Sequence, residues 1–136
     1  MTEAFTADWA ETQPTLVYCE LPDSIETIGS RAFSSQNKLV LTSLPKNLKI
    51  LDTYAFASCN SLQITYFGNN LTTINDYAFN SAIGVETLTF GDSVTYIGDG
   101  AFGSYLTSVT YPQRIPLKKI IIGKGITYIG IDAFAP

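Results

Sequence analysis

The sequence predicts a mostly-β solenoid, in which the chain is wound into stacked coils of similar length. Three observations predict this fold class. The dipeptide Ala-Phe recurs every 23 residues and returns once after 32, and two short apolar segments precede every copy. A fixed period of roughly 20 to 50 residues is the signature of repeat proteins, whose units bury their apolar faces only against one another. The five copies begin at Ala32, Ala55, Ala78, Ala101 and Ala133.

Length and composition fit one folded domain. The chain has 136 residues, of which 46% are hydrophobic and 15% are charged, whereas disordered chains are poor in apolar and rich in charged residues. The net charge of -4 argues against nucleic acid, which is bound through basic surfaces. Histidine, the commonest general base and metal ligand, is absent. We therefore expect a binding module and no enzyme, with no cofactor, no metal and no nucleic acid.

The first apolar segment of each unit follows the outline Leu-x-x-Leu-x-Leu. We interpret it as a short strand whose fourth and sixth residues point into the core and whose third and fifth residues point outward. Thr42 and Thr65 stand at the fourth position of their units, and Leu41 and Ile64 are then predicted to face outward. The predicted outward columns are Tyr18 and Glu20, Leu41 and Ser43, Ile64 and Tyr66, Thr87 and Thr89, Ser108 and Thr110, and Lys119 and Ile121.

The turn after each strand and the segment after the turn complete the unit. The turns open with proline or glycine, at Pro22, Pro45, Gly68, Gly91 and Gly123. The four residues that follow, such as 94–97, are rich in β-branched and aromatic types and too few for a stable helix, so we predict a second short strand or an extended arm. A sharp turn must follow, and its left-handed residues are predicted at Gly29, Asp52, Asn75, Gly98 and Gly130.

The 32-residue interval contains an additional copy of the strand pattern. Leu106, Val109 and Tyr111 match it, without a following arm. We predict an irregular insertion at residues 103–116 whose strand lies in the sheet between its neighbours, making six strands. The Phe side chains of the Ala-Phe pairs are expected to form one file inside the coils, with Phe56, Phe79 and Phe102 adjacent.

The order Leu-x-x-Leu-x-Leu-Pro-x-x-Leu-x-x-Ile-Gly-x-x-Ala-Phe is nearly complete in residues 16–33 and 85–102. It resembles the leucine-rich repeat of the Treponema pallidum type, the BspA-like family. The resemblance covers residues 16–136 and implies a right-handed, curved solenoid with a parallel sheet on the concave side and short extended arms on the convex side. It also implies adhesion and recognition of a protein, such as a host or matrix protein, by a cell-surface or secreted molecule.

The two ends of the chain differ in charge. Residues 1–28 hold six carboxylates and no basic side chain, whereas residues 106–136 hold four basic side chains and one carboxylate. We predict that residues 1–15 form an N-terminal cap or the remnant of a preceding repeat, and that the repeat domain of residues 16–136 ends without a cap. An open strand edge pairs readily with another chain. The start lacks the pattern of a signal peptide, and no apolar stretch approaches the ~18 residues of a membrane span, so we expect no membrane insertion.

Exposed apolar and aromatic side chains on a sheet mark interaction surfaces. The contact centre is predicted at Tyr66, Ile64 and Leu41; alternatively, these side chains only cover the sheet. The complete set of predicted ligand-binding residues is Tyr18, Leu41, Ile64, Tyr66, Thr87, Thr89, Lys119 and Ile121.

Two hypotheses of function remain open. The first is a non-enzymatic module that recognises a protein or a surface glycan through its concave sheet. The second is a structural segment of a longer repeat array that associates end to end. Stacking of Asp76 on Asp99 is compatible with a glycosidase pair or a Ca²⁺ site, but we expect turn carboxylates. Cys19 and Cys59 fall at different places in the coil and are expected to be buried thiols.

Overall fold

The computed structural model describes residues 15–68, 70–82, 85–103 and 117–135. Five coils lie in these ranges: coil 1 (residues 15–36), coil 2 (37–59), coil 3 (60–82), coil 4 (85–103) and coil 5 (117–135). The described strands pair in parallel, each with a strand of an adjacent coil. The fold is therefore the predicted mostly-β solenoid.

In chain order the strands are β1 (Thr27–Ile28), β2 (Ile50–Leu51), β3 (Tyr66–Phe67), β4 (Thr73–Ile74), β5 (Thr87–Phe90), β6 (Tyr96–Ile97), β7 (Lys119–Ile121) and β8 (Tyr128–Ile129). They form two sheets. The arm sheet has the order β1-β2-β4-β6-β8, and the face sheet has the order β3-β5-β7. The arms are thus short strands, as predicted, because their β-branched and aromatic residues suit a half-buried pleated surface.

The face sheet is smaller than predicted. Residues 15–22 and 39–45, the first segments of coils 1 and 2, contain no strand. In addition, β5 pairs directly with β7, with Thr87 opposite Lys119 and Thr89 opposite Ile121. The prediction of an inserted strand between these two was therefore wrong. The predicted strand itself, including Ser108 and Thr110, lies outside the described residues.

One file of phenylalanine rings runs through the corners of the coils, as predicted. Centroids of successive rings are 5.2 Å (Phe33–Phe56), 5.4 Å (Phe56–Phe79), 5.2 Å (Phe79–Phe102) and 5.4 Å (Phe102–Phe134) apart, and the rings are within 9° of parallel. These separations suit offset stacking. The last of these distances, from Phe102 to Phe134, spans the 32-residue interval and is similar to the others. The longer interval therefore leaves the spacing between these two rings unchanged.

Hydrogen bonds hold the corners together. In coils 1 to 4 the N–H of the corner phenylalanine donates to the alanine carbonyl of the next coil, as from Phe33 to Ala55 at 2.8 Å and from Phe79 to Ala101 at 2.7 Å. The alanines in this position are buried. A side chain no larger than a methyl group lets the coils approach closely enough for these bonds.

The left-handed residues were predicted two positions too early. Positive φ occurs immediately before each Ala-Phe pair, at Arg31, Tyr54, Tyr77, Gly100 and Asp132. The N–H of Asp52, at the predicted position, still donates to the carbonyl of Ile28 in the previous arm, so the arm ladder continues there. The chain then turns, and the N–H of Ala55 donates to the carbonyl of Asp52. A turn closed in this way, with positive φ at its third residue, has the pattern of type II.

Gly98 and Gly130 serve a different purpose from the one predicted. A Cβ atom at Gly98 would collide with the Asp76 carboxylate, and one at Gly130 would collide with that of Asp99. Glycine is required there for close approach of two coils and not for positive φ.

Candidate functional site

The outward surface of the face sheet carries most of the predicted binding residues. Tyr66 is 50% exposed, and Lys119 and Ile121 are also exposed. Thr87 and Thr89 lie between them and are half-buried. Register pairs Tyr66 with Thr89 and Thr89 with Ile121, so these three side chains form one column across β3, β5 and β7.

Two of the predicted contact residues are not on this surface. Leu41 is 8% exposed and Ile64 is 0% exposed, so both belong to the core. The adjacent threonines, Thr42 and Thr65, are exposed instead. Burial of an aliphatic side chain contributes about 1.5–3 kcal/mol, and this favours turning the leucine and isoleucine inward over a regular alternation that would bury threonine. The prediction that these two side chains face outward was therefore wrong.

The ring of Tyr66 lies over two glycines. A Cβ atom at Gly68 would collide with this ring, and one at Gly91 would lie 3.1 Å from the Tyr66 hydroxyl and 2.9 Å from Gly68 Cα. The absence of side chains at both positions makes room for the ring along the sheet. Tyr66 is thus exposed but held in place.

The hydrogen-bond ladder of the face sheet is open between coils 2 and 3. Toward coil 4 it is closed, since the N–H of Thr89 donates to the carbonyl of Thr65 at 2.8 Å and that of Gly91 to Phe67 at 2.6 Å. Within the described residues, no backbone hydrogen bond joins 42–45 to 65–68. Backbone groups of successive strand residues point to opposite edges, so the N–H and C=O of Tyr66 point toward coil 2.

The residue types after the strands differ on the two sides of the opening. The position after the strand is Pro45 in coil 2 but Gly68, Gly91 and Gly123 in coils 3 to 5. The glycines permit the close backbone approach of coils 3, 4 and 5, whereas Pro45 carries a ring and has no N–H. The opening forms a cavity of about 80 Å³, which we call the seam cavity, lined by Thr42, Ser43, Leu44, Pro45, Leu48, Tyr66, Gly68 and Leu71.

The seam cavity was not predicted, because Thr42 was assigned to the core and only Ser43 and Tyr66 to the outward face. The change from proline to glycine at the start of the turns was the available signal. Whether a cavity forms there depends on how closely two coils approach. The residue pattern of a single strand carries no information about that distance.

Tyr18 lies apart from this site. It is exposed in an open groove between coils 1 and 2, and its hydroxyl donates to the Glu20 carboxylate at 3.2 Å. This hydrogen bond, together with the negative charge of Glu20, raises the pKa of Tyr18 above its usual 10.0. The predicted binding residues therefore do not form one continuous site.

One ion pair lies beside the face sheet. Nζ of Lys118, the residue before Lys119, lies 3.0 Å from Oε1 of Glu86, and both side chains are exposed. Exposed pairs of this kind contribute about 0–1 kcal/mol. Every residue that lines the seam cavity is uncharged.

A second set of aromatic residues lies on the arm side. Tyr54 stacks on Tyr77 with centroids 5.0 Å apart, and Tyr96 stacks on Tyr128 at 4.9 Å. The guanidinium of Arg31 covers the ring of Tyr54 at 4.8 Å. These residues pack one coil on the next, as cross-strand aromatic pairs do in sheets.

Asp76 and Asp99 also join successive coils. Oδ1 of Asp76 accepts from the N–H of Asp99 at 2.9 Å, and Oδ1 of Asp99 accepts from the N–H of Ile131 at 2.9 Å. The Tyr128 hydroxyl donates to Asp99 at 3.2 Å, and this bond, reinforced by the charge of the carboxylate, raises the pKa of Tyr128. Among the described residues, no three histidine, cysteine or carboxylate side chains are grouped to hold a metal ion.

The two cysteines are unpaired thiols. Cys59 is buried, its Sγ donates to the carbonyl of Phe33 at 2.9 Å, and burial raises the pKa of its thiol to about 12. Cys19 is only half-buried, which differs from the prediction, although its partial burial also raises its pKa.

The fold is that of a repeat protein whose face sheet has one side exposed to solvent. The described residues contain no helix. A comparison with protein families matches residues 11–136 to the BspA type leucine rich repeat region, in six copies. The chain belongs to this family. Its repeats form interaction modules, its members are typically non-enzymatic, and they are often surface-associated. No match was found among curated proteins or among solved structures. In the described ranges, no helix is long and apolar enough to cross a bilayer.

Proposed function

We propose that this chain is a non-enzymatic adhesion module, at a cell surface or secreted, that binds a protein or a surface glycan through its face sheet. The observation that carries the proposal is Tyr66, a half-exposed ring held over Gly68 and Gly91. Tyrosine is enriched where binding energy concentrates. A ring that is already immobilised loses little side-chain entropy on binding, which favours affinity.

The column of Tyr66, Thr89 and Ile121 supplies the rest of the proposed surface. Apolar contact area lies at both ends of this column, and hydroxyl groups lie between them. Lys119 adds an exposed charge at the border, where charges affect the rate of association more than affinity.

The test compares two double variants on a panel of purified extracellular-matrix proteins and a glycan array. Tyr66→Ser with Ile121→Ser alters the face sheet, and Tyr128→Ser with Thr95→Ser alters the arm side. We expect at least one probe to be retained by the wild type and the arm variant and lost by the face variant. Loss in the arm variant alone, or retention of no probe, would overturn the proposal.

A second candidate is end-to-end association with another copy of the chain. The edge of coil 5 favours it, because Ile129 is 47% exposed whereas Ile97, its counterpart in coil 4, is fully buried. Sedimentation of the wild type and of an Ile129→Glu variant tests this candidate. Concentration-dependent growth that the substitution abolishes supports association, and a monomer at all concentrations rejects it.

A further inference from the structure

We propose that the seam cavity binds the acetamido group of an N-acetylhexosamine, with the sugar ring stacked on Tyr66. This inference rests on the proposed function of the face sheet and names the chemical class of its ligand. Three features of the cavity carry it: the position of the aromatic ring, the backbone groups that have no partner across the seam, and the absence of charge.

The ring of Tyr66 forms one wall of the cavity and is half exposed. Aromatic rings offer an electron-rich face, and the apolar C–H face of a pyranose ring packs against such a surface. Gly68 and Gly91 leave the space in which the ring lies. The stacking platform therefore exists before the ligand arrives.

The remaining walls match an acetamido group. Leu44, Leu48 and Leu71 supply an apolar environment for its methyl group. The N–H and C=O of Tyr66 point toward coil 2 and have no partner across the seam, so they suit the C=O and N–H of a secondary amide. A cavity of about 80 Å³ accommodates such a substituent while the sugar ring stays outside against Tyr66. The hydroxyl groups of Thr42 and Ser43 are available for further hydrogen bonds.

Charge selects among glycans. Every residue lining the cavity is uncharged. Burial of an unpaired charge is unfavourable, and a carboxylate or sulfate placed inside the cavity would find no counterion in its lining. The neutral N-acetylhexosamines fit this lining.

The surroundings favour a sugar over a peptide. Protein hot spots combine several large buried anchors, whereas the residues beside Tyr66 on this surface are Thr65, Thr87 and Thr89. One aromatic ring with neighbouring hydroxyl groups suits a small polar ligand with one apolar face.

The test is an NMR titration of the ¹⁵N-labelled chain with tri-N-acetylchitotriose and with cellotriose, which has the same linkage and no acetamido groups. We expect shifts of the amide signals of Ser43, Tyr66 and Gly68 with the first sugar, and binding of cellotriose at least about tenfold weaker. Tyr66→Ala should weaken chitotriose binding about tenfold, the equivalent of one lost aromatic contact. Tyr128→Ala is the matched control, since Tyr128 is a similarly exposed tyrosine on the arm side, and should bind like the wild type.

Equal binding of both sugars, shifts confined to other coils, or an unaffected Tyr66→Ala variant would overturn the inference. Thermal melting of both variants separates loss of binding from loss of folding. If chitotriose does not bind while the protein panel still depends on Tyr66, the acetamido inference fails and the proposed function stands. If neither binds, both fail.

Discussion

At the scale of single residues, Cys59 and Tyr128 have the most distinctive chemistry. The thiol of Cys59 is enclosed by the corner of coil 2 and donates to Phe33. Tyr128 is exposed and donates to a carboxylate. Burial and a charged neighbour thus both favour the protonated form, in one case by excluding water and in the other by supplying an acceptor.

The raised pKa of Cys59 predicts low reactivity. At pH 8 we expect Ellman's reagent to modify Cys19 in the folded chain and to reach Cys59 only after denaturation, because only the thiolate reacts. The folded state binds the thiol proton of Cys59 more tightly than the unfolded state does. The stability that this contributes is complete below pH 9.0 and is lost as pH rises toward 12. The slope of unfolding free energy in this range should be smaller in Cys59→Ala. Equal modification of both thiols at native pH would contradict the prediction.

The Asp99 carboxylate is expected to control ionisation of Tyr128. Asp99→Asn retains an Oδ1 acceptor for the N–H of Ile131 but removes the negative charge, so the pKa of Tyr128 should fall toward 10.0. ¹³Cζ chemical shifts of tyrosine, followed against pH, measure this change. Tyr66, for which Asp99 is not a neighbour in the structure, serves as the internal control. An unchanged Tyr128 titration would contradict a role of the Asp99 charge in raising this pKa.

At the scale of elements, the glycines that follow the strands allow the coils to approach closely. Gly68, Gly91 and Gly123 allow the face sheet to form across coils 3 to 5. Toward coil 2 that sheet ends at the seam cavity, and Pro45 is one of the residues that line it. The candidate site therefore lies where the repeat changes from one residue type to the other.

Hydrogen exchange tests this difference between the coils. The amide of Tyr66 points into the seam without a partner, and we expect it to exchange at least about tenfold faster than those of Thr89 and Gly91, which are bonded. Equal protection of Tyr66 and Thr89 in the wild type would mean that the ladder is continuous and the seam is closed.

Much of this arrangement could be predicted from the sequence, and the exceptions have physical causes. The 23-residue period was sufficient to place the phenylalanine rings in one file, because equivalent residues of stacked coils must be neighbours. Strict alternation failed for Leu41 and Ile64, since their burial outweighs strand regularity where the next residue is threonine. The pairing of β5 with β7 was missed because the pattern at 106–111 resembles a strand, and resemblance does not fix which strand is adjacent.

At the scale of the whole molecule, each coil is stabilised by its neighbours and not by itself. The phenylalanine file connects all five described coils, and the corner hydrogen bonds follow the same path. Stability in such a stack is the sum of coil and interface contributions. A residue with a neighbouring coil on both sides should therefore matter more than one with a neighbour on one side.

Substitution of two phenylalanines tests this expectation. Phe79→Ala removes a fully buried ring between Phe56 and Phe102 and should cost about 3–5 kcal/mol of unfolding free energy. Phe134→Ala removes a half-buried ring in coil 5 and should cost less. Urea denaturation measures both values. Similar costs would indicate that the two rings have similar surroundings in solution.

The register of the stack is tested most directly by NMR contacts between neighbouring strands. The structure requires contacts between the backbone protons of Tyr66 and Thr89 and, across the insertion, of Thr89 and Ile121. We expect nuclear Overhauser effects for both pairs. An effect between Thr89 and Thr110, with none between Thr89 and Ile121, would place the inserted segment inside the face sheet and contradict the stacking described here.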